Sequence, residues 1–251
     1  ISQDGQKEAM EHAGRTGGLP FVGVGWYRTE FDVPQFQAGK RATILFDGAM
    51  SHANVYINGQ KVGYWPYGYN SFHFDITKYL KPGEKNTLAV RLENLPESSR
   101  WYPGAGLYRN VHLIITEDAY IPVWGTYITT PSVNEKFAKV NVRTKVVLPE
   151  GADPAKYSVE TSVWNPNKQK LTAVRTSLAQ MKYNNNQAEQ EFVIQAPSLW
   201  SPEMPALYSA ETRLYEGDKL KDIYTTPFGI RSIEIIPDKG FFLNGKRTVF
   251  K

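Results

Sequence analysis

Six aromatic rings crowd into eleven residues: Tyr64, Trp65, Tyr67, Tyr69, Phe72 and Phe74, with Pro66 and Gly68 between them. The spacing is too irregular for one strand face, so part of the segment is expected to be an exposed loop. Rings with polar edges offer flat apolar faces to sugar rings and hydrogen-bond partners to sugar hydroxyls, and Trp65 and Tyr67 are the better candidates for that contact. The bland reading is core and loop packing, which is expected for Phe72 and Phe74 because they alternate into a strand. A second cluster, Arg100-Trp101-Tyr102-Pro103-Gly104-Ala105-Gly106, combines a guanidinium and two large rings with a Pro/Gly backbone between two strands. Such a loop can be rigid and functional. Arg100 has the fork geometry to grip hydroxyls or a carboxylate, or to pair structurally with Glu93 or Glu97.

Complete catalytic constellations are not found. Retaining glycoside hydrolysis requires two carboxyl groups about 5.5 Å apart, but Glu93, Glu97 and Glu117 read as solvated or structural carboxylates. No G-x-S-x-G, P-loop or dinucleotide fingerprint appears. His12, His52, His73 and His112 lack metal-ligand spacing, and the chain has no Cys, so neither a metal site nor a cofactor is expected, and disulfides and thiolate chemistry are excluded. The net charge of +4 is not gathered into a basic stripe: residues 1–118 hold 12 basic and 12 acidic side chains. Nucleic acid is therefore not an expected partner. No apolar run approaches membrane-spanning length, and Ile1 to Met10 is polar, without the apolar core of a signal peptide.

Period-two alternation dominates the 251 residues, and helical periodicity is nearly missing, so the chain is expected to be all-β. Trp26 to Val33 sends Tyr27, Thr29, Phe31 and Val33 to one side; Pro34 then stops the ladder. Arg41 to Asp47 follows, and Val55 to Val62 around Asn58-Gly59 is a hairpin, because Asn and Gly tolerate the positive φ of a type I′ turn. Phe72 to Ile76, Thr87 to Glu93 and Tyr108 to Thr116 complete a first β-sandwich. A composition shift after Thr116 puts a boundary near residue 119. Strands at Phe137 to Leu148, Lys156 to Asn165, Leu171 to Met181, Ala188 to Gln195, Leu207 to Glu216 and Lys219 to Phe228 then predict an immunoglobulin-like sandwich, with Trp164 filling its core. The hairpin signature recurs at Phe241 to Phe250 around Asn244-Gly245.

Three segments carry a family resemblance: Gly17-Gly18-Leu19-Pro20 through Gly25-Trp26-Tyr27-Arg28, Phe46-Asp47-Gly48 through Val62-Gly63-Tyr64, and Ser99 to Gly104 through Gly106-Leu107-Tyr108-Arg109-Asn110-Val111. Leu199-Trp200-Ser201-Pro202, Phe228-Gly229-Ile230-Arg231 and Phe242-Leu243-Asn244-Gly245-Lys246 extend it in the same order. Together they resemble the N-terminal region of glycoside hydrolase family 2, the β-galactosidase and β-glucuronidase group. The resemblance implies a jelly-roll sugar-binding domain over 1–118, an immunoglobulin-like domain over 119–231, and over 232–251 the start of a (β/α)₈ barrel that carries both catalytic glutamates. It implies a non-catalytic portion of a retaining β-glycosidase that removes terminal β-linked sugars from oligo- or polysaccharides. Arg100, Trp101 and Tyr102, with Trp65 and Tyr67, would stand at the pocket rim, and the partners would be a carbohydrate substrate and the chain's own barrel. The parent would be periplasmic or secreted, and a homo-oligomer is left open. The resemblance implies a β-galactosidase-like parent, from whose pattern the chain departs at one place: Val22 stands near where some β-galactosidases carry an asparagine. The rival readings are a stand-alone carbohydrate-binding module and a two-sandwich adhesion or interaction protein.

Overall fold

The computed structural model describes residues 23–36, 39–95, 105–180 and 187–250. The chain divides into two compact units, Ile1–Thr116 and Glu117–Lys251. The first contains β1 (Gly23–Asp32), β2 (Arg41–Phe46), β3 (Ala53–Ile57), β4 (Gln60–Trp65), β5 (Phe72–Asp75), β6 (Lys85–Asn94) and β7 (Val111–Thr116). They form two antiparallel sheets, ordered β1-β6-β3-β4 and β5-β2-β7. Alternation decides the faces. On β6, Asn86, Leu88, Val90, Leu92 and Asn94 are buried, and the residues between them are not. Tyr27, Thr29 and Phe31 lie opposite Val90, Leu88 and Asn86, which puts them on the core side as the sequence pattern predicts. Between the sheets pack Ile44, Phe46, Val55, Ile57, Phe72, Ile76 and Val90. Asn58 and Gly59 adopt φ of 51° and 81°, the left-handed pair that a type I′ turn requires.

The second unit contains β8 (Thr126–Val133), β9 (Phe137–Lys145), β10 (Tyr157–Trp164), β11 (Lys170–Ser177), β12 (Gln187–Gln195), β13 (Tyr208–Glu216) and β14 (Lys219–Phe228). Their sheets are ordered β11-β10-β13-β14 and β12-β9-β8, the four-plus-three division of an immunoglobulin-like sandwich. The hairpin at its end has three strands: β15 (Ile233–Ile236), β16 (Gly240–Leu243) and β17 (Lys246–Arg247). One strand lies outside the expected set, and one expectation needs correction. Strand β8 escapes the alternation rule because Pro131 interrupts it. Pro131 is tolerated because β8 is an edge strand whose register slips between Thr129 and Ser132. Trp164 does not fill the core: along β10 the core side is held by Tyr157, Val159, Thr161 and Val163, and strand alternation puts half-buried Trp164 on the opposite face.

The second core falls into two apolar clusters, and β9, β10, β12 and β13 each pass from one to the other through a polar residue: Thr144, Thr161, Gln190 and Thr212. Thr161 and Thr212 share a hydrogen bond of 3.2 Å, and the Gln190 amide donates across to Val159 O at 3.1 Å and Val174 O at 2.8 Å. The Thr161–Thr212 bond links neighbouring strands of one sheet, and the Gln190 bonds join the two sheets; the Thr144 hydroxyl and Gln190 Oε1 are buried without a hydrogen-bond partner among the described residues.

Near the start of this unit the ammonium of Lys221, its side chain 7% exposed, lies 2.9 Å from Asp118 and 3.5 Å from Glu216. The hydrogen bond from Lys221 holds the Asp118 carboxyl below its ordinary range, and Asp118 in turn holds Lys221 above its own. Asp222 is shifted the other way by burial, although it accepts the Ile121 and Ile223 N–H groups. A depressed carboxyl stabilises the fold above its unfolded value and loses that contribution as pH falls through the folded value; a raised carboxyl such as Asp222 costs stability at neutral pH and is relieved in acid. A raised Lys contributes below its unfolded value and loses this in strong alkali. Lys221→Met is expected to cost about 1–2 kcal/mol, below the figure for a fully buried pair because both carboxylates are partly solvated. The deficit should be flat at neutral pH and close in strong acid as Asp118 protonates. Urea denaturation across that range checks it; a deficit independent of pH down to full protonation of Asp118 would mean the ion pair contributes nothing.

Candidate functional site

One end of the first sandwich gathers three loops, held together by main-chain bonds and by side-chain hydroxyls that bond main-chain carbonyls. Met50 and Gly106 exchange both hydrogen bonds at 3.0 Å, the Ser51 carbonyl accepts the Glu93 N–H at 2.9 Å, and the His52 N–H donates to Pro66 O at 3.1 Å. Tyr108 Oη donates to Gly68 O at 2.8 Å, and Ser71 Oγ donates to Asp47 O at 3.1 Å. The absence of a side chain at Gly68 leaves room for the Met50 thioether, which a Cβ there would displace. The aromatic segment is thus clamped between Met50 and Tyr108, and the loop 66–71 cannot lift from 47–52 without breaking several bonds at once.

What the clamp presents is a run of rings and planar polar groups. Tyr67 and Tyr69 are 53% and 50% exposed and meet edge to face at 5.5 Å. The Arg109 guanidinium stacks over the Tyr108 ring and donates to Asp47 O. His112 Nε2 lies 2.9 Å from the Asp47 carboxylate, so the imidazole and the carboxylate form a hydrogen-bonded pair. These groups can accept and donate to hydroxyls and offer ring faces to an apolar surface.

Of the residues singled out from sequence, Tyr67 stands exposed on this rim. Trp65 is half-buried: its indole stacks on Phe72 at 5.6 Å between centroids and packs against the core, with the indole N–H buried and without a partner among the described residues. Arg100, Trp101 and Tyr102 lie outside the described residues. Their described flanks are informative all the same, because Glu93 on one side and Gly106 on the other both bond to the Met50-Ser51 stretch. Sequence reasoning missed Asp47, His112, Tyr108 and Arg109, which come from two segments, at 47 and 108–112, up to 65 residues apart, and share no spacing pattern. It also missed an aromatic pair on the outer face of the β1-β6-β3-β4 sheet. Trp26, 59% exposed, meets Tyr56 at 5.6 Å, with Arg91 paired to Glu93 beside it. Among the described residues no three His, Asp or Glu side chains gather as a metal site.

Comparison with known proteins places this geometry. Residues 20–117 match the family described as glycosyl hydrolases family 2, sugar binding domain, and residues 120–231 match glycosyl hydrolases family 2. The β-galactosidase BoGH2A of Bacteroides ovatus is 40% identical over 243 residues, covering 96% of this chain and 28% of that protein. A β-glucuronidase of Bacteroides fragilis is 34% identical over 237 residues, covering 89% of this chain and 34% of that protein. The crystal structure of a glycosyl hydrolase family 2 member from Bacteroides cellulosilyticus superposes with a TM-score of 0.80 at 34% identity, covering 89% of this chain and 29% of that one. The chain therefore spans about a third or less of the length of these relatives. Both sandwiches and their order agree with these matches, and the chain belongs to glycosyl hydrolases family 2, carrying that family's sugar binding domain followed by its immunoglobulin-like domain.

Proposed function

We propose that these two sandwiches are the non-catalytic part of a retaining β-glycosidase that removes terminal β-linked sugars, and that the loop end of the first sandwich walls the substrate pocket. The observation that carries this reading is the clamped rim: loops 47–52 and 66–71 and both described flanks of 96–104 are tied to one another by main-chain bonds, with Tyr67 and Tyr69 exposed on it. A pocket wall must hold its groups within a fraction of an ångström to orient a sugar, and a loop locked by backbone pairing meets that need. The catalytic carboxylates would lie in polypeptide outside these 251 residues. In the full-length protein, Tyr67→Ala and Trp101→Ala are expected to lower kcat/KM on a nitrophenyl β-glycoside by about tenfold each through KM, without changing the thermal midpoint. The 251-residue chain alone is expected to hydrolyse none of it. Hydrolysis by the isolated chain, or unchanged kinetics in both variants, would sink the reading.

The Trp26 and Tyr56 ring pair favours one second reading, a carbohydrate-binding module acting on polysaccharide through the sheet face. That reading requires the 251-residue chain to be retained on insoluble β-glucan and released by Trp26→Ala, with Tyr67→Ala binding as the parent does.

A further inference from the structure

A band of polar side chains crosses the core of the second sandwich, and its protons and lone pairs do not match. Thr144, Thr161 and Thr212 are 0% exposed and Gln190 is 3% exposed. Each stands on its strand between the two apolar clusters: on β9 Val142 belongs to one and Val146 to the other, and on β12 Phe192 and Ala188 divide in the same way. The four therefore lie at one level between the sheets, away from bulk water. The Gln190 side-chain amide faces the opposite sheet in a fixed orientation. Its Nε2 lies 3.1 Å from Val159 O, 2.8 Å from Val174 O and 3.1 Å from Thr176 Oγ1, so a flipped amide would set Oε1 against two carbonyl oxygens. Oε1 then has lone pairs but no donor among the described residues, and the Thr144 hydroxyl has no partner among them either. Thr161 and Thr212 share one bond of 3.2 Å in which either can donate. Whichever does, the other hydroxyl keeps a proton of its own that no further bond among the described residues takes up. The band thus holds two hydroxyl protons in need of acceptors and one carbonyl oxygen in need of a donor.

Three such groups left unpaired in an apolar interior cost more free energy than the ordering of one solvent molecule. We propose that one water molecule is bound between the sheets at this level, held by Thr144, Gln190 and the Thr161–Thr212 pair. Its oxygen accepts the Thr144 proton and the spare proton of the threonine pair, and one of its own protons goes to Gln190 Oε1. Three hydrogen bonds result, the usual number for a buried water. The same matching decides the chemistry of the ligand. A metal cation accepts no hydrogen bond and would meet two hydroxyl protons, and none of the four side chains carries a charge to neutralise it. An apolar guest would leave all three groups unpaired. Residue size provides the room. Sheets packed face to face stand about 10 Å apart, yet three of the four positions in the band carry threonine, and the cross-strand neighbour of Thr144 on β12 is Ala188. So bound, the water extends the connection that Gln190 makes, joining β9 and β12 to β10 and β13 in the one layer of this core where apolar contact does not hold the sheets together. The inference concerns the second sandwich and does not depend on the proposed catalytic role.

High-resolution crystallography of the 251-residue chain tests it directly. One water oxygen is expected at about 2.7–3.1 Å from both Thr144 Oγ1 and Gln190 Oε1, as well ordered as the side chains around it. Thr144→Val supplies the second measurement, because it removes the hydroxyl and keeps the shape of the side chain. With the water in place, the substitution takes away one of its three partners, and the thermal midpoint is expected to fall by about 3 °C. Without the water, the parent buries an unpaired hydroxyl, and valine raises the midpoint instead. A Thr144 hydroxyl bonded directly to Gln190 Oε1 overturns the proposal, as does a band with no water between its side chains. A midpoint that stays level or rises in Thr144→Val overturns it too.

Discussion

Asn86→Asp is expected to lower the unfolding free energy of the first sandwich by about 4 kcal/mol, a large part of what holds a domain of this size together. Asn86 is fully buried and satisfies every hydrogen-bonding position it has. Its Oδ1 accepts from Lys81 N and Asn58 Nδ2, both at 2.8 Å, and its Nδ2 donates to Lys81 O and Glu84 O, both at 2.9 Å. Asp replaces the two donors with an oxygen facing two carbonyls. Burial and those carbonyls must then raise the new carboxyl, so the deficit is largest at neutral pH and shrinks as pH falls through the raised value. Asn86→Ala, which leaves groups unpaired but adds no charge, is expected to cost less, about 2–3 kcal/mol. Asn58 belongs to the same network: its Oδ1 accepts Thr87 N–H and its Nδ2 donates to Tyr79 O, while its backbone holds the positive φ of the turn. Asn58→Gly keeps the turn and removes the network, so a double-mutant cycle with Asn86→Ala should show coupling above about 1 kcal/mol. Urea midpoints followed by tryptophan fluorescence decide it; equal losses for Asn86→Asp and Asn86→Ala at neutral pH would refute the charge argument.

That network shows where sequence reading stops. Asn58-Gly59 announces a turn through a property of two adjacent residues, and the alternation around it names the core face of β3 and β6, because both are local. The same letters do not say that Asn58 also reaches Asn86, 28 residues away. Strand β8 was hidden by Pro131, since the rule that demotes proline within a strand does not know which strands are edges. Trp65 and Tyr67 look alike in the sequence, two rings flanking Pro66. The sheet register separates them: Trp65 lies opposite buried Ala53 at the end of β4, and Tyr67 falls past the strand where no ladder dictates its face. The rim was legible as a concentration of rings, but the groups that join Tyr67 and Tyr69 there, Asp47, Tyr108, Arg109 and His112, are brought in by pairing between β2 and β7. Tertiary partnership, not residue type, brings them together.

Gly106→Val is the substitution expected to damage that rim most, with a loss of about 3 kcal/mol in stability and at least about tenfold in the kcat/KM of the full-length protein. Gly106 has φ of 93°, a conformation that a β-branched residue essentially never adopts. It exchanges two main-chain bonds with Met50, and a Cβ there would lie 2.3 Å from Tyr27 Oη. Restoring an ordinary φ would break the Met50 pairing and release the C-terminal flank of the segment that contains Arg100, Trp101 and Tyr102. Two causes act together and can be separated. Gly106→Ala retains the backbone penalty, about 1 kcal/mol, and adds the contact with the phenol; Tyr27→Phe removes the oxygen that the methyl meets. The double variant should therefore recover the contact portion and keep the backbone portion, while Tyr27→Phe alone, its ring 41% exposed, changes stability little. Thermal and urea midpoints report the first effect, and kinetics on a nitrophenyl β-glycoside below the midpoint report the second. If Gly106→Val unfolds at the parent's midpoint, the turn is not what fixes the rim; if it loses stability but keeps its kinetics, the rim is fixed and the sugar does not touch it.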